Sequence, residues 1–267
     1  MHPIIFETQF FSLHTVWLFF AIAVITGVYF LIKLSLNNGL KLQFLSEHSL
    51  RFMLWILIGA RIVSIIFHYK TYFYEFSFKT LSQLFFIWDK GLDIWGGLGA
   101  FTICLYLLCK KHEQNFWKWL DVIIPAAILG LAIGHIGNFF EGSNYGTPTS
   151  LPWGVNFESS SIRYAVPIHP TQIYSALYSI FISSGLMLLS HTEKIKNLSK
   201  EGLIALLGAI AYSLFRFLEE FIRGDDAMTI LSIRVPHILA LIALLTTSTI
   251  LFLRYNKHQF KSLKKKS

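Results

Sequence analysis

Residues 202–223, GLIALLGAIAYSLFRFLEEFIR, combine a long apolar run with a charged end. Residues 202–215 carry no charge, and an apolar segment of about 20 residues is typical of a membrane-spanning helix. An arginine at the centre of a bilayer costs about 2.5–3.5 kcal/mol on insertion scales, so Arg216 is expected to face a bundle interior or a water-filled cavity. The segment therefore predicts a membrane-embedded helix bundle with a polar site inside it.

The composition of the whole chain supports a membrane protein. Of its 267 residues, 54% are apolar, 16% aromatic and 14% charged, whereas a soluble domain carries about 25% charged residues. These values and the mean hydropathy of +0.54 exclude a soluble globular enzyme, a disordered chain and a nucleic-acid-binding domain. The net charge of +8 is consistent with contacts to anionic lipid headgroups. Cys104 and Cys109 predict neither a disulfide framework nor a metal site.

Seven apolar segments of the chain are long enough to cross a bilayer. They predict an all-α integral membrane protein with about seven transmembrane helices, organised as a single polytopic domain over residues 1–267. The predicted spans are residues 13–34, 50–69, 92–109, 119–138, 168–190, 201–222 and 235–254.

The segments that connect these spans differ in character. In residues 70–91, aromatic side chains alternate with Lys and Glu, which predicts a helix or loop lying in the membrane interface. Residues 139–167 are rich in Gly and Pro, which favours a structured, turn-rich loop on the non-cytoplasmic side. The cytoplasmic loops are short and basic, so functional residues are expected in the long non-cytoplasmic loops.

The distribution of basic residues predicts the orientation of the chain. One set of alternate loops, together with the basic tail at 254–267, holds 15 Lys and Arg residues, and the other set holds 6. Cytoplasmic loops carry the excess of Lys and Arg in membrane proteins. We therefore expect the N-terminus outside and the C-terminus in the cytoplasm.

The charged end of the first segment carries a polar stripe. Helical spacing places Tyr212, Arg216, Glu220 and Arg223 on one face. Glu219 lies about 100° away around the helix and is expected to point elsewhere. One interpretation is a cationic pocket for an anionic headgroup, since a planar guanidinium binds two oxygens at once. The alternative is a structural pair in which Arg216 and Glu220 neutralise each other.

A second polar stripe lies in residues 130–146, GLAIGHIGNFFEGSNYG. Its glycines, Gly137 among them, allow helices or lipid to approach the backbone closely. His135, Asn138 and Glu141 recur at steps of three near the end of the span. This pattern indicates either a headgroup site or a polar stripe at the membrane surface.

Two further features place polar groups within or beside spans. Arg61, in the sequence Gly-Ala-Arg, is a second intramembrane cation, expected either to contact a headgroup or to extend its charge to the interface. Residues 169–172, His-Pro-Thr-Gln, open the fifth span with a proline in its first turn. A single histidine at such a position is more often structural than catalytic.

These features occur in ordered blocks that resemble the bacterial prolipoprotein diacylglyceryl transferase family. The resemblance covers residues 11–253, in the family's order and predicted orientation. The blocks are LIGAR at 57–61, IWGGL at 94–98, GHIGNF at 134–139, PTSLPWGV at 148–155, HPTQIY at 169–174 and YSLFRFLEEFIR at 212–223.

The resemblance implies a lipid-transfer reaction in the bacterial cytoplasmic (inner) membrane. A diacylglyceryl group passes from phosphatidylglycerol to the cysteine thiol of a lipobox in a prolipoprotein signal peptide, which forms a thioether and releases glycerol-1-phosphate. This chemistry implies no cofactor, no metal and no nucleic-acid partner. It needs a lipid-accessible cavity and cations for a phosphate.

The resemblance also implies roles for particular residues. Arg216 resembles the family's phosphate-engaging arginine, Tyr212, Glu220 and Arg223 resemble its helix partners, and Asn138 matches a signature asparagine. The predicted catalytic residues are Arg216, His135, Tyr212 and Glu220, and the predicted phosphatidylglycerol-binding residues are Asn138, Arg61, Arg223, Gly137, His169 and Gln172.

The sequence departs from the family pattern at four positions. His135 stands where the family has arginine, Trp95 where it has histidine, and Ser143 and Ser175 where it has glutamate. His135 has two possible roles: its imidazolium contacts the phosphate, or its neutral ring serves as base for the thiol. Two other functions stay open, a paralogue that transfers lipid to another acceptor and a non-catalytic lipid- or lipoprotein-binding protein.

Overall fold

The computed structural model describes residues 4–7, 12–69, 91–157, 162–192 and 201–264. The described residues contain seven long helices: α1 (Thr15–Asn37), α2 (Gln43–Phe67), α3 (Ile94–Lys111), α4 (Phe116–Glu141), α5 (Thr171–His191), α6 (Leu203–Glu219) and α7 (Val235–Lys264). Two short antiparallel strand pairs accompany them, β1 (Ile4–Glu7) with β2 (Ser12–His14) and β3 (Thr229–Ile230) with β4 (Ile233–Arg234).

The helices confirm the prediction of an integral membrane protein. Six of the described helices are long and apolar enough to cross a bilayer. The seventh, α6, has 17 residues, which is at the lower end of the length that spans hydrocarbon. Residues 70–90, most of the predicted interfacial segment, lie outside the described residues. The predicted orientation stays a prediction.

The chain forms two compact units, and residues 35–119 make up one of them. Here α2 packs on α3 through glycines: a Cβ built on Gly96 would lie 2.3 Å from the carbonyl oxygen of Gly59. Asp93 caps α3, because its Oδ1 accepts hydrogen bonds from the amides of Trp95 and Gly96. Two of the sequence blocks thus meet in one close helix contact.

Residues 1–34 and 120–267 form the other unit. In it α1 lies against α4 at Gly137, where an added Cβ would lie 2.7 Å from the Cβ of Phe19. α4, α5 and α6 share an apolar cluster of Ile128, Tyr178, Ile182, Leu186 and Ile204. α4 also holds the start of α6, since the Asp121 carboxylate accepts hydrogen bonds from the amides of Gly202 and Ala205.

The loop between α4 and α5 is attached to the end of α6. A short 3-10 turn, Glu220–Ile222, follows α6 directly. The amide of Thr147 donates to the carbonyl of Ile222, and Gly146 pairs with Arg223 in an isolated bridge. The described residues between α4 and α5, 142–157 and 162–170, form turns and isolated bridges, whereas residues 139–141 of the predicted loop belong to α4. These contacts bring the loop to the charged end of α6.

Candidate functional site

Six charged side chains form a cluster at the end of α6. It contains three arginines and three carboxylates, and we call it the arginine–carboxylate cluster: Arg216, Arg223, Arg234, Glu219, Glu220 and Asp225. Glu219, Glu220 and Arg223 are each less than 10% exposed. Buried charges are tolerated where each has a partner of opposite sign, and every member of the cluster has one.

Glu219 lies at the centre of the cluster. Its Oε1 is 3.3 Å from Nη1 of Arg216 and 3.5 Å from Nη1 of Arg223. Its Oε2 accepts hydrogen bonds of 2.7 Å from the hydroxyls of Ser175 and Tyr178, both on α5. The expectation that Glu219 points away from the site is therefore wrong. Its carboxylate joins α5 to both arginines.

Glu220 pairs with two arginines as well. Its Oε2 lies 3.1 Å from Nη2 of Arg216, an ion-pair contact without hydrogen-bond alignment, and its Oε1 accepts a hydrogen bond from Nε of Arg234. Arg234, on β4, also donates to the backbone carbonyl and side chain of Asp225. Arg223 pairs with Glu219 rather than with Glu220, so Arg216 is the arginine of the predicted stripe that Glu220 contacts.

Arg223 is the most fully bonded arginine of the cluster. It donates from Nε and Nη2 to the two carboxylate oxygens of Asp225, at 2.8 and 2.5 Å, and from Nη2 to Oδ1 of Asn144 at 2.7 Å. Burial opposes the charged form of each, yet this fork-like pairing raises the pKa of Arg223 and lowers the pKa of Asp225. Both groups therefore stay charged at neutral pH, and Arg223 holds the loop residue Asn144.

Of the predicted site residues of α4, His135 is the one that interacts electrostatically with this cluster. His135 has both ring nitrogens buried, and neither has a hydrogen-bond partner among the described residues. The charges that act on its ring are the guanidinium groups of Arg216 and Arg223. Asn138, one turn further along α4, makes no side-chain hydrogen bond within the described part of the chain. Of the second stripe, His135 is thus the residue that the structure brings to the arginines.

The predicted residues at the start of α5 support the loop. Gln172 is fully buried, and its Nε2 donates to the carbonyl of Ser143 at 2.6 Å. His169 contacts the Tyr174 hydroxyl through Nδ1 at 3.3 Å, and its backbone pairs with Gly146 and Thr147. These contacts position the segment that carries Asn144. They make Gln172 and His169 positioning residues in the structure, while lipid contact by either stays a prediction.

The remaining predicted residues lie in different surroundings. Tyr212 packs edge-on against Tyr178, with ring centroids 5.8 Å apart. Gly137 contacts Phe19 of α1, so helix packing by itself requires its small size. Arg61 is buried on α2, and its Nη1 donates to the carbonyl of Gly91 at 3.0 Å. Arg61 belongs to the unit of residues 35–119 and has polar partners there.

Apart from His135, the positions that depart from the family pattern have identifiable contacts. Ser175 donates to Glu219, and Ser143 donates to Oε2 of Glu141 at 2.9 Å. Trp95 lies in the first turn of α3, where its amide is capped by Asp93. Ser175 is the departure that contacts the cluster, because its hydroxyl on α5 donates to the Glu219 carboxylate on α6.

Sequence reasoning missed five members of the site. Glu219 was assigned to the wrong side of α6, and Ser175, Tyr178, Asp225 and Arg234 received no role in the cluster. The adjacent glutamates 219 and 220 were the available signal, since two acidic residues at the end of an apolar segment require two sets of partners. Among the described residues, no group of three His, Cys, Asp or Glu side chains is placed to hold a metal ion.

The fold and the site define a polytopic membrane protein with a buried, charge-rich cluster at the end of one helix. Comparison with known proteins identifies its family. The model of the prolipoprotein diacylglyceryl transferase family matches residues 3–253, and the chain belongs to this family.

Individual relatives carry the same description. The chain is 34% identical to the phosphatidylglycerol–prolipoprotein diacylglyceryl transferase of Finegoldia magna over 259 residues, covering 94% of this chain and 96% of the relative. The protein of that name from Prochlorococcus marinus strain NATL2A is 31% identical over 84% of this chain and 78% of its own length. The one from Synechocystis sp. is 30% identical over 94% and 89%, respectively.

Proposed function

We propose that this chain is a phosphatidylglycerol–prolipoprotein diacylglyceryl transferase of the bacterial cytoplasmic membrane. The family match over residues 3–253 and the relatives' shared description support this function. The acceptor is the thiol of the lipobox cysteine in a prolipoprotein signal peptide. Phosphatidylglycerol enters from the bilayer, which the apolar outer faces of the helices contact.

The reaction exchanges one bond to carbon for another. The thiol sulfur attacks the glyceryl carbon that carries the phosphate oxygen, so that a C–S bond forms as the C–O bond breaks. The electron pair of the broken bond leaves with glycerol-1-phosphate, and the thiol proton is lost to a base or to the leaving phosphate. Negative charge therefore grows on the phosphate as the bond breaks, and fixed cations lower the barrier by stabilising that charge.

Arg216 is the observation that carries this proposal. It lies near the end of an apolar helix, where burying a cation is energetically costly and intramembrane charges commonly mark functional sites. Its side chain is 16% exposed, against 4% for Arg223, and its contacts to Glu219 and Glu220 are 3.1–3.3 Å long. Arg223 is committed to Asp225 and Asn144. Arg216 is the better placed of the two to bind phosphate oxygens.

The other residues of the site take supporting roles in the proposed reaction. Glu219 and Glu220 orient Arg216, and Tyr212 packs on the Tyr178 ring that in turn bonds Glu219. Asn138 and His135 face the headgroup from α4. Arg61 contacts lipid from its own unit.

The test is complementation in a bacterium depleted of its own transferase. We expect wild-type protein to restore the mass shift of a prolipoprotein, and Arg216→Ala to abolish it while the protein still inserts in the membrane. Arg163→Ala is the matched control, because Arg163 forms an exposed ion pair with Asp226 outside the cluster. Full conversion by Arg216→Ala would contradict the assignment of Arg216.

The same experiment separates the two other candidate functions. Wild-type protein that inserts, binds phosphatidylglycerol and fails to convert prolipoprotein would favour transfer to another acceptor or a lipid-binding role. Transfer of labelled lipid to a different membrane component would then distinguish the paralogue from the non-catalytic protein.

A further inference from the structure

The arginine–carboxylate cluster is balanced in charge before any ligand binds. Three guanidinium groups face three carboxylates, and each carboxylate contacts at least one guanidinium. Arg223 and Asp225 are held in their charged forms by each other. The cluster as a whole therefore carries no net positive charge that a ligand could neutralise.

A phosphodiester headgroup changes this balance. It brings one negative charge at every pH near neutrality, and a net charge inside a region of low dielectric constant is strongly disfavoured. One more positive charge is needed when the headgroup binds. It must come from a group that is neutral in the free protein and close enough to contact the phosphate.

His135 is the group that the structure offers for this role. Its two ring nitrogens are buried with no hydrogen-bond partner in the described residues, and the charges acting on the ring are those of Arg216 and Arg223. In the free protein these guanidinium groups repel an imidazolium. A bound anion reverses the sign of the interaction. A protonated ring then donates from both nitrogens, which suits the oxygens of a phosphate.

The surroundings of His135 offer few competing groups. α1, which packs on this part of α4 through Phe19, has Lys33 as its one charged residue, and Lys33 lies 14 residues from Phe19. On α4 itself, Glu141 is six residues further on and accepts a hydrogen bond from Ser143. From α5, the Tyr178 hydroxyl donates to Glu219.

We propose that His135 takes up a proton from water when the anionic headgroup of phosphatidylglycerol binds beside Arg216, so that headgroup binding is coupled to protonation. This inference rests on the proposed function. It selects the phosphate-contacting role for His135 over the role of base in the initial complex. It also predicts that affinity for the lipid falls as pH rises, by up to about tenfold per pH unit.

The experiment measures binding and proton uptake together. Purified full-length protein in detergent is titrated with dioctanoyl phosphatidylglycerol by calorimetry between about pH 5.5 and 8.5, the range in which histidine changes charge. Each titration is done in two buffers of different ionisation enthalpy, which reports the protons taken up. We expect uptake that approaches one proton per lipid as pH rises above neutrality.

Three variants and one other lipid sharpen this test. His135→Arg carries a permanent charge, so its binding should take up no proton and should not depend on pH. His135→Gln should bind more weakly and also without uptake. His191→Gln, at the exposed end of α5, is the control and should behave as wild type. Dioctanoylglycerol lacks the phosphate and should bind without proton uptake.

The outcomes distinguish the inference from the proposed function. Transfer to a cysteine-containing signal peptide is measured on the same preparations. Transfer with pH-independent lipid binding would overturn the proton uptake and leave the transferase in place. Proton uptake that persists in His135→Gln, or that accompanies dioctanoylglycerol, would overturn the role of His135. Absence of both binding and transfer at every pH would overturn the inference together with the proposed function.

Discussion

The end of α6 and the last third of α4 both carry polar side chains beside long apolar segments, yet these side chains are partnered differently in the two regions. In the arginine–carboxylate cluster every charge has a partner, and α5 adds two hydroxyls to Glu219. On α4, His135 and Asn138 have no side-chain hydrogen bonds within the described residues. Removing one member of a buried pair leaves its partner unsatisfied, whereas an unpaired buried group already carries that cost. Under the proposed function, we interpret the first region as scaffold and the second as a surface that binds the lipid headgroup.

The largest loss of stability is expected when Glu219, at the centre of the cluster, is removed. Glu219→Ala leaves two arginines and two hydroxyls without their shared acceptor, and breaking a buried ion pair in this way costs about 3–5 kcal/mol. Thermal unfolding in detergent measures this loss. Asp226→Asn, in an exposed pair with Arg163, should leave the melting temperature nearly unchanged. Equal melting temperatures for the two variants would remove the distinction between scaffold and binding surface.

A smaller effect is expected at Arg216, which is a member of the cluster and is also proposed to bind the phosphate. Arg216→Lys keeps the charge near Glu219 and Glu220 but loses the planar pair of donors. We expect transfer to fall by about 10²-fold with little change in melting temperature. The rate of conversion of a prolipoprotein peptide checks this expectation. A fall in stability without a fall in the rate would place Arg216 in the scaffold alone.

Two serines of α5 allow the contribution of a single hydrogen bond to stability to be measured. The hydroxyl of Ser175 donates to Glu219, whereas the buried hydroxyl of Ser179 has no partner among the described residues. Ser175→Ala should therefore lower the free energy of unfolding by about 1 kcal/mol. Ser179→Ala should be neutral or stabilising. Denaturant unfolding of the two variants, prepared in parallel, gives the comparison, and a reversed order would contradict the hydrogen-bond assignment.

The smallest effect on stability is expected on α4. His135→Leu replaces a ring with two unsatisfied nitrogens by an apolar side chain of similar bulk. Its free energy of unfolding should therefore change by less than about 1 kcal/mol. Lipid transfer should nevertheless be lost. A strongly destabilised His135→Leu protein would show that the ring has a structural partner, and the contrast between α4 and α6 would fail.

Much of the fold was predictable because each membrane-spanning segment is a continuous run of apolar residues in the sequence. The spans predicted at 119–138 and 168–190 correspond to α4 and α5 within a few residues. α2 begins at Gln43, seven residues before the predicted start, since its polar first turns are helical although they are not apolar. Apolar composition reports the hydrocarbon-embedded part of a helix, and it does not report the polar turns beyond it.

The surroundings of Glu219 were only partly predictable. Its contacts to Arg216 and Arg223 span three and four residues, the spacings at which helix side chains are neighbours, so helical spacing could have placed Glu219 beside both arginines. Its hydrogen bonds from Ser175 and Tyr178 could not be predicted, because these α5 partners lie more than 40 residues away in sequence.

The sequence by itself determined that the chain is a helical membrane protein of this transferase family, because apolar run length and block order are local properties of the chain. It also singled out Arg216 and His135, since a cation or an imidazole in an apolar segment stands out without any structure. Only the tertiary structure decided which charges pair. Asn144, Ser175 and Arg234 come from three separate segments, and folding alone brings them to α6. Ion pairing depends on distance in space, to which sequence spacing gives no guide beyond a few helical turns.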